Sequence, residues 1–88
     1  MPYIKKNRRQ LFDPTLNVLD DTIEKSNPTA GDLNYIITNI LHRYVSIKGQ
    51  NYATYNEIIG LMECCKLEYY RRAIGPYETK KQEENGDV

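Results

Sequence analysis

Tryptophan is absent, phenylalanine and histidine occur once each, and the only two cysteines stand side by side. Zinc sites need Cys and His at ligand spacings, and His42 with Cys64 and Cys65 provides none, so no metal or cofactor is expected. Adjacent helical positions diverge by about 100°, which rules against a disulfide between Cys64 and Cys65 and fits a reducing compartment. The five glycines, Gly31, Gly49, Gly60, Gly75 and Gly86, are all isolated. No glycine-rich loop is therefore present to cradle a phosphate through backbone N–H groups. No apolar run approaches the roughly 20 residues of a membrane span, and the opening Met1-Pro2-Tyr3-Ile4-Lys5-Lys6 has no apolar secretory region. The expectation is a soluble, cytoplasmic protein. Charge of one sign is also missing: 12 basic and 12 acidic residues cancel. Dedicated duplex-DNA binders carry a positive excess, so no duplex DNA partner is expected. Nor does any Ser or Cys pair with His42 in a nucleophile–base pattern, and the adjacent acids Asp20-Asp21 and Glu83-Glu84 lack apolar surroundings that would tune them. A non-enzymatic role is expected.

What the chain has is tyrosine, eight of them, together with helical periodicity. Residues 1–12 read as a basic arm carrying Lys5, Lys6, Arg8 and Arg9, residues 13–78 as a helical domain, and residues 79–88 as a polar tail. Asp13-Pro14 opens a first helix, since Asp caps free N–H groups and Pro at the first helical position loses no needed donor. Leu16, Leu19 and Ile23 continue it to about Lys25, before Ser26-Asn27-Pro28. Leu33, Ile36, Ile37, Ile40, Leu41 and Tyr44 then fall on one stripe, which predicts a second helix from about Ala30 to Ser46 with that stripe in the core. Thr54-Tyr55-Asn56-Glu57 matches a capping box and predicts the start of a third helix. Its inner stripe would be Ile58, Leu61, Met62, Cys65 and Tyr69, and Gly60 inside it points to close approach of another backbone or else to a tolerated helix penalty, the first being favoured. Gly75-Pro76 is expected to stop or kink this helix. The fold class is all-α: a small three-helix bundle, or a helical hairpin plus a docking helix. At 88 residues a single core is marginal, which predicts a homo-oligomer.

One cluster invites a ligand. Tyr69, Tyr70, Arg71, Arg72 and Tyr77 place stacking faces beside forked guanidinium donors, and Lys5, Lys6, Arg8 and Arg9 add positive charge. Residue types of this kind take planar anions, so a nucleotide-like ligand is the candidate small molecule. The structural alternative is equally concrete: Arg71 and Arg72 complement the end of a helix dipole and pair with Glu68 or Glu78. Exposed Tyr and Arg also favour protein interfaces, with a second copy or a host protein, and the arm with its tyrosines would suit weak single-strand binding.

Several segments carry a resemblance: Met1-Pro2-Tyr3-Ile4, Gly31-Asp32-Leu33-Asn34-Tyr35-Ile36-Ile37-Thr38, Asn56-Glu57-Ile58-Ile59-Gly60 with Glu63, Lys66-Leu67-Glu68-Tyr69-Tyr70-Arg71-Arg72, Pro76-Tyr77-Glu78 and Glu84-Asn85-Gly86-Asp87-Val88. Through them the chain resembles a family of small uncharacterised proteins of phages and prokaryotic genomes. The setting implies an analogy of class with small helical phage proteins that sequester cyclic-nucleotide signals of host defence. Such proteins hold bases on aromatic or apolar groups and phosphates on Lys or Arg at subunit junctions.

Overall fold

A computed structural model describes residues 2–88, and every regular element among them is helical. Met1, the first residue of the Met1-Pro2-Tyr3-Ile4 segment, lies outside the described residues. The order is α1 (Lys6–Arg9), α2 (Asp13–Ser26), α3 (Ala30–Lys48), α4 (Tyr52–Tyr69), a π-helical turn (Tyr70–Ile74) and α5 (Gly75–Asn85). The basic arm thus contains one helical turn of its own.

Local chemistry sets each boundary. Pro14 lies in the first turn of α2, as expected, but Asp13 is itself helical and makes no capping bond; Phe12 precedes it. Asn27 ends α2 in the left-handed conformation at φ 52°, which Asn tolerates better than most residues. A full capping box starts α3: the Asp32 N–H donates to the Thr29 hydroxyl at 3.2 Å, and the Thr29 N–H donates to the Asp32 carboxylate at 2.9 Å. The box expected at Thr54 is not formed. Asn51 caps α4 instead, its side-chain oxygen accepting from the Thr54 N–H at 2.9 Å. Asn51 is a strong capping residue three positions upstream, so the helix starts earlier and Thr54 becomes a buried side chain of its first turn.

Gly75-Pro76 does not stop the helix. A proline ring inside an α-helix collides with the carbonyl four residues back and offers no N–H. The backbone widens here into a π turn, with the Gly75 N–H bonded to the Tyr70 carbonyl, and runs on into α5. In the wider register the missing Pro76 donor would have served the Arg71 carbonyl. Residues 79–85, assigned from sequence to a polar tail, are therefore helical up to the Gly86 cap, whose N–H reaches the Gln82 carbonyl at 2.8 Å.

Helices α3 and α4 meet next to the turn at residues 49–51, where Val45, Thr54 and Ile58 are buried. Near the α2–α3 junction, Leu19 and Ile23 share a cleft with Leu33 and Ile36. The architecture is all-α. The expected core stripes are only partly covered: Ile36, Leu41 and Tyr44 are half-buried, while Leu33, Ile37, Ile40, Leu61, Met62, Cys65 and Tyr69 are exposed. Gly60 faces open space, with nothing within 4 Å of where a Cβ would stand, so no backbone among the described residues approaches it. The radius of gyration is 16.7 Å and the accessible surface 7983 Å². A compact chain of this size would have about 12 Å and about 5,400 Å². The chain by itself is open, with apolar faces left uncovered.

Candidate functional site

The arm returns to the end of α4 through one carboxylate. The Tyr3 hydroxyl donates to Glu68 Oε1, and Arg71 Nη2 donates to the same oxygen at 2.6 Å and to the Tyr3 oxygen at 3.2 Å. Glu68 and Arg71 meet because three residues span nearly one helical turn, and Glu N-terminal to Arg also suits the dipole. Hydrogen bonding from Tyr3, then from Arg71, holds the Glu68 carboxyl below its usual range, and the same carboxylate raises the pKa of Arg71. Arg71 is thus engaged within the chain, as pairing with Glu68 would require.

Arg72, one residue on, points elsewhere. It makes no ion pair among the described residues, and it lies between two shallow depressions. One is lined by Tyr3, Ile4, Arg9, Phe12, Asp13 and Leu16; the other by Cys65, Glu68, Tyr69 and Ala73, with Pro2 common to both. Arg9 is oriented by an Nε bond to the Ile4 carbonyl at 2.8 Å, and Arg8 stands 5.6 Å from the Phe12 ring centre, a cation–π distance. Lys5 and Lys6 make no ion pair among the described residues. Tyr69 is 68% exposed, so its ring face is open beside Arg72.

The remaining tyrosines belong to a second place. Tyr70 donates to Glu78 at 2.5 Å, a bond that spans the π turn and raises the phenol pKa because the acceptor is anionic. Tyr77 lines the same groove as Tyr70 and Glu78 and carries Lys81 5.6 Å above its ring. The sequence-predicted cluster is therefore split. Arg72, Tyr69 and Arg9 share one corner, Tyr70 and Tyr77 another, and Arg71 is occupied between them.

Two participants had weak sequence signals. Glu68 could be placed by its spacing from Arg71, but its bond to Tyr3 links residues 65 positions apart. Glu57, read as a cap, instead accepts from the Tyr44 hydroxyl at 2.5 Å and joins α4 to α3, raising the Tyr44 pKa. Chemically, a guanidinium with an open ring beside it can clamp a planar anion. No group of three His, Cys, Asp or Glu residues suited to a metal ion occurs among the described residues, and no helix among them is long and apolar enough to cross a membrane. Compared with known proteins, residues 1–88 match the family model described as Domain of unknown function (DUF6899). No curated protein and no solved structure matches the chain.

Proposed function

Because the chain belongs to this family of unknown function across residues 1–88, we propose its role from its own surface: a non-enzymatic binding protein that works as a homo-oligomer. One observation carries this reading. The accessible surface of 7983 Å² exceeds that of a compact chain of this mass by about 2,600 Å². The polar helix α5 contributes to the excess, and α3 and α4 expose large apolar side chains, among them Ile40, Ile47, Ile59 and Leu67. Obligate interfaces are large and apolar, on the order of 2,000 Å² or more in total, and this surface has the size and composition for one. Sedimentation velocity over a hundredfold concentration range tests the reading. A mass of two or more chains is expected, and a well-folded monomer of 10.3 kDa throughout would refute it.

A second reading concerns what the oligomer binds. Arg72, without an ion pair among the described residues, with Tyr69 open beside it and Arg9 across a shared depression, favours a nucleotide-like anion stacked on tyrosine and clamped by arginine. In that reading the chain is a phage-type accessory protein of the host cytoplasm that sequesters a nucleotide signal, a cyclic one where the corner is completed at a subunit junction. Thermal shift against cyclic and linear nucleotides tests it. Stabilisation of the wild type that is lost in Arg72→Ala is expected; no shift at saturating nucleotide would reject the reading.

A further inference from the structure

The strongest periodic stripe of the sequence is only partly covered, and its uncovered members continue through Ile47. Leu33, Ile37, Ile40, Tyr44 and Ile47 recur at alternating spacings of four and three, the pattern that keeps a seam facing a partner helix. Four of them are exposed within the chain, at 41% for Leu33, 42% for Ile37, 57% for Ile40 and 66% for Ile47. To one side of the stripe, Ile36 is half-buried in the cleft shared with Leu19 and Ile23 of α2, whose edge Leu33 also lines; to the other, Leu41 is half-buried and Val45 buried. Tyr44, half-buried, bonds Glu57 on α4 through its hydroxyl and borders the exposed part of the stripe. The exposed stripe is thus the central strip of a broad apolar face of α3 whose margins are occupied by the chain's own helices.

Resting on the homo-oligomer reading, we infer that α3 of a second copy of this chain packs along that stripe. Two observations select this occupant. The chain exposes about 2,600 Å² more than a compact one, which exceeds the roughly 1,000 Å² per copy that an obligate interface of about 2,000 Å² in total takes. The stripe is also self-compatible: it carries no charge along its length, so a copy laid on itself meets no like-charge repulsion. The other exposed stripe of equal spacing, Tyr55, Ile59, Met62, Lys66 and Tyr69 on α4, places Lys66 within the seam. A two-fold pair through α3 is isologous and closes, leaving no further copy to recruit at this face. Ile40 is the midpoint of the stripe, so either direction of apposition brings it near its own counterpart.

The experiment uses the full chain in two arms. In the first, sedimentation mass is compared for wild type, Ile40→Lys and Ile59→Lys, the last being a control at a residue 70% exposed on α4. Ile40→Lys is expected to weaken association by at least about 100-fold, since it leaves an unpaired charge in the seam, while Ile59→Lys keeps the wild-type mass. In the second, Ile40→Cys is made with Cys64→Ser and Cys65→Ser and oxidised gently; a covalent dimer in high yield is expected. This arm decides the matter where Ile40→Lys does not fold. An oligomeric wild type with no Ile40→Cys cross-link overturns the α3 seam and leaves self-association intact. A wild type that is monomeric and folded at every concentration overturns both.

Discussion

Glu68 shows how a single residue ties distant parts of the chain. Its carboxylate accepts from Tyr3 and from Arg71, and both bonds favour the ionised form. The folded pKa is lowered, so the stability it contributes is complete above the unfolded value of about 4.3 and is lost as pH falls through the folded one. NMR of the Tyr3 ring during acid titration should therefore show the arm detaching below the ordinary carboxylate range. Glu68→Gln should show the same ring shifts at neutral pH. Tyr44 and Tyr70 behave in the opposite sense. Their bonds to Glu57 and Glu78 raise the phenol pKa, so that contribution is complete below the ordinary value of about 10 and fades as pH rises. Ultraviolet difference titration, with Tyr44→Phe and Tyr70→Phe for assignment, should show these two phenols ionising above the ordinary range. Gly60 offers a third check. With nothing near its absent Cβ, Gly60→Ala should gain the helix-propensity difference, about 1 kcal/mol, in urea unfolding. A loss instead would place another molecule's backbone against that face.

Helix boundaries are governed by competition among neighbouring residues. Asn51 holds the cap of α4, so Asn51→Ala should cost about 1 kcal/mol in chemical unfolding, whereas Thr54→Ser, which keeps the hydroxyl, should cost through its lost buried methyl. Much of this level was legible in the sequence. The stripe from Leu33 to Tyr44 declares a helix because only an α-helix brings those positions onto one face. The same period is silent about what covers the face, and there the expectation of an internal core failed for Ile37 and Ile40. Thr54 with Glu57 matched a capping box as a string; Asn51 won because its side chain reaches the Thr54 N–H and starts the helix one turn earlier. Gly75-Pro76 read as an end or a kink because an α register cannot hold Pro76, while the wider register that does hold it leaves no mark in local composition. At the candidate site, Arg71 with Glu68 was readable from spacing. The separation of Arg72 from Tyr70 and Tyr77 was not, since it depends on how the arm packs.

As a whole molecule, the chain spans 50 × 34 × 30 Å with three residues buried among those described. Folding and association should then be coupled, and the unfolding midpoint should rise with protein concentration, as mass action requires of an oligomer that unfolds to separate chains. Scanning calorimetry at several concentrations checks this; an invariant midpoint would contradict it. The π turn fits five residues where an α turn fits about four, so its extra residue is absorbed locally and Tyr70 meets Glu78 at a spacing of eight as it would at seven in an unbroken α-helix. Deleting one residue between positions 70 and 74 would thus leave those two side chains on one face, yet would return Pro76 to a register in which its ring collides with the carbonyl four residues back. The widened turn works as a phase buffer: it takes up the proline without disturbing which side chains meet across it.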